Sequence, residues 1–190
     1  LIKRGHVDEN VIAAVDRPKN NTQHEVVYLT KVEINKLYRA IDNNPSKVMA
    51  ARDRAIIGLA LATALRVSAL VNINIEDIDF DDGVINVIEK RQKTRAISIG
   101  PQTQEMLTEW INTREEAYGD VDTTALFLSQ KKNRISVDSV SDMLDKYCKE
   151  AGIKRITPHK LRATASCMMA KNNIPVKAIA KQLGHQQIST

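Results

Sequence analysis

The apolar residues of this chain recur at helical spacing nearly throughout and switch to strand-like alternation in one place only, residues 83–99. A repeat of three to four puts side chains on one face of a helix, and a repeat of two puts them on one face of a strand. The expected fold class is therefore mainly α with a small antiparallel β-hairpin sheet. Thr30 followed by Glu33 is a capping-box pattern, and Ile34, Leu37, Tyr38 and Ile41 then repeat along one helix face until Asn43-Asn44-Pro45 stops it. Ser46 can cap a second helix carrying Ile56, Ile57, Leu59, Ala60, Leu61 and Ala64, apolar enough to lie in the core. A short helical turn is expected over 68–71.

Residues 83–88 and 95–99 read as two strands joined by the basic turn 89–94. Pro101 suits a first helical position, and Met106, Leu107, Trp110 and Ile111 give that helix a buried stripe. Residues 125–128 form a short apolar run. Ser136, Asp138 or Ser139 can cap a helix running through Val140, Met143, Leu144 and Tyr147 and closed by Gly152. Thr157-Pro158 opens another helix, Pro175 a further one, and Gly184 ends it.

At 190 residues, 43% hydrophobic and 27% charged, the chain has material for one ordinary core. Residues 1–26 stand apart: a helical scrap followed by the polar stretch DRPKNNT, which has the composition of a linker. Cys148 and Cys167 lack CxxC spacing and histidine-rich surroundings, so neither a disulfide framework nor a zinc site is expected. No apolar run has membrane-spanning length, and LIKRGHVDENV lacks a signal peptide's pattern; no membrane partner and a reducing, cytoplasmic setting are expected. An excess of 28 Lys and Arg over 23 Asp and Glu is compatible with a polyanionic partner without identifying one. Aromatic residues make up only 4%, which disfavours a base-stacking platform for single strands, so that of nucleic acids duplex DNA gripped through its phosphates is the more natural partner.

The chemistry-bearing cluster is TPHKLR, residues 157–162. On a helix that opens near Pro158, His159 and Arg162 share a face close to the free N–H groups and positive dipole end that attract an anion. By itself, an HxxR at a helix start is usually just an exposed pair. Arg66, in ALRVSAL, follows directly on an apolar helix, so its stem is expected to be buried and its guanidinium to need an acceptor, as in a structural ion pair. Lys90, Arg91, Lys93 and Arg95 crowd the hairpin turn, where a solvated loop is the plain alternative. His185 stands beside a helix-ending glycine, a feature that means little alone.

Taken in order, these segments resemble the tyrosine recombinases of the phage-integrase family. ALRVSAL is similar to the box around that family's first arginine, EKRQKTRAISIG to the hairpin bearing its lysine, TPHKLRATAS to its HxLR box and LGH to the segment with its last histidine. LTKVE at 29–33 resembles the family's LTxxE opening. The resemblance implies a DNA breaking-rejoining fold, with residues 27–190 as the catalytic domain and residues 1–26 as the end of a preceding core-binding domain and its linker. It also implies Arg66, Lys90, His159, Arg162 and His185 as catalytic residues, and Lys93, Arg95, Lys160 and Arg91 as DNA contacts.

In that scheme Arg66 and Arg162 clamp the scissile phosphate, Lys90 protonates the departing 5′ oxygen with Lys93 as its rival, His159 accepts or positions the proton of an attacking tyrosine, and His185 donates to the phosphate. No cofactor or metal is expected, because the arginines serve as the charge clamp. The family's members act as tetramers on DNA, and a shortened piece is expected to be monomeric.

The family's tyrosine falls shortly after its last histidine, past Thr190, and Tyr28, Tyr38, Tyr118 and Tyr147 are read as core or surface aromatics. Residues 1–190 alone are therefore expected to bind DNA without cutting it. Ala69 stands where the family usually has an acid beside its first arginine, Ala163 where a histidine is common, and Ala64 where glycine is usual. A type IB topoisomerase, a catalytically silent DNA-binding module and a purely structural helical domain are the competing readings.

Overall fold

The computed structural model describes residues 28–88, 94–172 and 175. Among the described residues six α-helices frame the core: α1 (Lys31–Asp42), α2 (Lys47–Thr63), α3 (Val67–Val71), α4 (Pro101–Tyr118), α5 (Val137–Glu150) and α6 (Pro158–Lys171). A three-stranded antiparallel sheet lies between α3 and α4 in the chain: β1 (Ile78–Asp79), β2 (Val84–Ile88) and β3 (Thr94–Ser98), in that order across the sheet. The mostly helical expectation holds. The sheet has one strand more than expected, because β1 is only two residues long, too short to show alternation; it pairs Ile78 with Ile85 and Asp79 with Val84. β2 and β3 pair Ile85 with Ile97 and Val87 with Arg95, and their inward residues Ile85, Val87 and Ile97 are buried. The basic turn and the expected helix ending at Gly184 lie outside the described residues.

Helix starts follow local chemistry. Thr30 and Glu33 form a reciprocal capping box, Ser46 Oγ accepts from Met49 N–H, Ser136 Oγ from Ser139 N–H and Thr157 Oγ1 from Lys160 N–H. Pro101 opens α4, where no donor is required. Gly152, with φ +61°, closes the turn after α5 in a conformation that favours glycine.

Helix α2 is the central element, buried along most of its length and packed on α4 and α6. Gly58 permits the close approach of α4: a Cβ there would lie 2.6 Å from Met106 Cε. The buried stripe of α4 is Thr103, Leu107, Trp110 and Arg114, while Met106 and Ile111 are half-buried. Trp110 is fully enclosed and donates its indole N–H to Leu126 O at 2.9 Å. Residues 125–128 are wholly buried, bridged to Asn74 through Ala125 and to Arg134 through Leu128.

Candidate functional site

Helix α2 ends at Ala64, a non-glycine residue in the left-handed region (φ 52°, ψ 30°), which also caps the helix by donating its N–H to Ala60 O at 3.0 Å. It belongs to the turn, not to the helical stripe expected of it. The reversal buries Leu65 and turns the chain outward at Arg66, whose extended backbone (φ −66°, ψ 141°) makes it the N-cap of α3. Arg66 is therefore exposed, against the expectation of a buried stem and a structural ion pair, and it takes no carboxylate partner among the described residues. Ala69, three positions on, is half-buried against the core. The far end of α3 is fastened by Arg134, whose Nη1 donates to Val71 O at 3.0 Å and to Ile73 O at 3.1 Å.

His159 and Arg162 lie in the second and fifth positions of α6, His159 exposed and Arg162 half-buried. They share a helix face as expected. Lys160, between them, is half-buried, and so is Arg95 on β3. Lys90, Arg91, Lys93 and His185 lie outside the described residues.

What joins the Arg66 turn to the His159–Arg162 helix is an apolar contact. Ala64, two residues before Arg66, forms a buried cluster with Ala165 and Met169 of α6, and Leu61 packs on it. Ala64 and Ala165, with one methyl group each, let the α2 terminus seat near α6, and Met169 and Leu61 fill the space around them. Two exposed or half-exposed arginines and a histidine are thus presented from neighbouring backbone segments. Guanidinium groups cannot deprotonate and offer forked donors, so such an arrangement is suited to an anion such as a phosphodiester.

The loop leading into α6 is fixed from the other side. Arg155 Nε donates to Asp145 Oδ1 of α5 at 2.7 Å, and the guanidinium holds that carboxyl below its ordinary range. Ile156 is fully buried, and Thr157 then caps α6. A further contact, legible in no local motif, links the start of the domain to the same helix: Leu29 N–H donates to Thr164 Oγ1 at 3.1 Å, across 135 positions.

Tyr28 is 44% exposed, Tyr38 lies under the Arg54 guanidinium, Tyr118 lies under the Lys132 ammonium, and Tyr147 is fully buried. The reading of all four as core or surface aromatics holds. No group of three or more His, Cys, Asp or Glu side chains with metal-binding geometry occurs among the described residues, and no described helix is long and apolar enough to cross a membrane.

The chain is similar in sequence and fold to known proteins. The phage integrase family model matches residues 27–190. A tyrosine recombinase XerC from Caldanaerobacter subterraneus subsp. tengcongensis is 37% identical over 187 residues, which cover 97% of this chain and 51% of that protein. Among solved structures, the XerA recombinase superposes with a TM-score of 0.75 at 29% identity, covering 85% of this chain and 57% of the other. The Tn1549 transposon integrase in complex with circular intermediate DNA gives a TM-score of 0.73 at 25% identity, covering 86% and 60%. The chain thus spans well under two thirds of the length of these relatives. With the Arg66 turn and the HxxR helix packed together and the family match running from residue 27 to residue 190, the chain belongs to the phage integrase family.

Proposed function

We propose that this chain is the catalytic domain of a site-specific DNA recombinase, one that cuts and rejoins duplex DNA through a 3′-phosphotyrosyl intermediate. The observation that carries the reading is the Ala64–Ala165 contact, which seats the Arg66 turn beside the helix bearing His159 and Arg162. Arg66 and Arg162 neutralise the non-bridging oxygens as charge grows in the pentavalent transition state. His159 accepts or positions the proton of the attacking tyrosine, Lys90 protonates the 5′ oxygen as its bond to phosphorus breaks, and His185 donates a hydrogen bond to the phosphate. The phosphotyrosyl ester keeps the energy of the broken bond, so a 5′ hydroxyl can reverse the step without ATP.

Duplex DNA lies across the hairpin turn and the α6 start, with Arg91, Lys93, Arg95 and Lys160 on its phosphates. The full-length protein works as a tetramer in the cytoplasm, where its substrate is. Support comes from the XerC relative, named as a tyrosine recombinase, and from the Tn1549 integrase, which was solved on DNA.

The test uses the full-length protein and a duplex selected by it from a randomised pool, nicked so that cleavage traps the adduct. A denaturant-resistant protein–DNA band is expected, and replacing Arg66, Lys90 or Arg162 singly should suppress it. Duplex binding without any adduct would instead identify a silent DNA-binding module, the reading that Ala69 favours. Relaxation of supercoiled plasmid with no site preference would identify a topoisomerase.

A further inference from the structure

We propose that Thr164 is a positioning residue: with its hydroxyl oriented by a bond to Lys160 O within α6, it accepts the Leu29 N–H, and that bond fixes the rotation of α6 and so the aim of His159 and Arg162. This rests on the recombinase reading above. Thr164 is 1% exposed, and its hydroxyl has one proton to give. It donates to Lys160 O at 2.9 Å and accepts the Leu29 N–H at 3.1 Å, so both capacities are used. Lys160, between His159 and Arg162, is thereby held at both ends of its backbone, since its N–H goes to Thr157 Oγ1 at 3.3 Å.

At about 100° per residue, Thr164 falls on the side of α6 away from the His159–Arg162 face. The other inward contacts on this helix are apolar: Leu161, Ala165 and Met169 are all buried. Apolar contact is non-directional and tolerates a few degrees of roll, whereas a hydrogen bond fixes both distance and angle. The partner is well anchored too. Leu29 is a buried core residue, and Thr30 next to it is locked in the capping box of α1. Rolling α6 would break the Leu29 bond before it disturbed any apolar neighbour, and it would carry His159 and Arg162 off line. A misplacement of about 1 Å at reacting groups can cost a hundredfold in rate.

The experiment compares full-length wild type with Thr164→Val, which keeps the shape and removes the hydroxyl, and Thr164→Ser, which restores it. Each is given the selected nicked duplex at saturation for the single-turnover rate of adduct formation, and the intact duplex for Kd. The expected result is a rate reduced about tenfold or more in the Val chain, Kd within about twofold of wild type, and recovery in the Ser chain. A Val chain that reacts at the wild-type rate overturns the proposal and leaves the recombinase reading intact. So does a Ser chain as slow as the Val one, or a loss that lies wholly in Kd. If the Val chain is unfolded at the assay temperature, Thr164→Ala removes the same hydroxyl and is judged by the same outcomes. Absence of adduct in wild type removes the recombinase reading itself, and the proposal with it.

Discussion

The Tyr147 hydroxyl donates to Asp53 Oδ2 at 2.8 Å, joining α5 to α2 across 94 positions inside the core. The same hydroxyl accepts from Asn44 Nδ2 at 2.7 Å, while Arg52 Nε donates to Asp53 Oδ1 at 2.8 Å and its Nη1 to Leu128 O at 3.0 Å. Four segments meet in this network, and each member is satisfied by the others. Burial pushes the Asp53 carboxyl up despite the adjacent Arg52, and burial followed by the Asp53 charge pushes the Tyr147 phenol up.

Replacing Asp53 by Ala strands the buried Arg52 charge and the Tyr147 hydroxyl, and should cost about 3–5 kcal/mol. Tyr147→Phe leaves the Arg52–Asp53 pair intact and should cost less, about 1–3 kcal/mol. Urea unfolding of the three chains checks the order, and a Phe variant less stable than the Ala variant contradicts it.

At Ala64 three small effects partly cancel. Ala64→Gly relieves a left-handed conformation that costs an L-residue roughly 1–2 kcal/mol. It also removes a methyl group packed on Ala165 and Met169, worth about 0.8 kcal/mol, and adds unfolded-chain freedom of about 0.4–1 kcal/mol. The expected net change is under about 1 kcal/mol by this sum. Ala64→Val keeps the strain and forces a branched side chain into the contact, so a loss of about 1–3 kcal/mol or more is expected from overpacking. Thermal melts of both variants separate these cases.

Glu33 gives the capping box a pH dependence. Its bonds to the Thr30 backbone N–H and hydroxyl hold the carboxyl below its ordinary range. A depressed carboxyl stabilises the fold above the ordinary glutamate pKa, and that contribution disappears as pH falls through the lowered value. Wild type should therefore exceed Glu33→Gln in stability at neutral pH, and the gap should close on acidification. A gap that stays constant across that range would mean the ionised carboxylate contributes nothing. Thr30→Ala, which removes the other half of the box, should cost about 1 kcal/mol at neutral pH.

The elements that the sequence announces are those whose cause is local. Thr30 with Glu33, Ser46, Ser136, Thr157 and Pro101 all stand within a turn of the groups they satisfy, and their helices start where expected. The two-residue strand β1 has no period to detect. The buried role of Asp53 depends on Tyr147, and that of Thr164 on Leu29, partners too remote in sequence for any spacing rule. Within the candidate site, the shared helix face of His159 and Arg162 is legible because both stand in the opening turns of a helix that Thr157-Pro158 announces, while the role given to them comes from the family resemblance. The exposure of Arg66 is not: the preceding stripe reads as helix through Ala64, and the one mark of the left-handed reversal is that Ala64 stands where the resembled family usually has glycine.

At the half-buried Arg162 charge and shape can be told apart. If Arg162 clamps a phosphate through two parallel N–H groups, Arg162→Lys keeps the charge and loses the fork. Long-range attraction to DNA would then survive while transition-state contact fails. The adduct-forming rate of the full-length protein should fall by about 10²–10³, the usual cost of one lost oxyanion donor. Duplex affinity and its salt dependence should barely move, because the number of phosphates neutralised is unchanged. Arg162→Ala should lose the rate and also flatten the salt slope by about one unit. Measuring both variants across a salt series separates the two roles: a Lys chain that cleaves normally would make Arg162 a charge and nothing more.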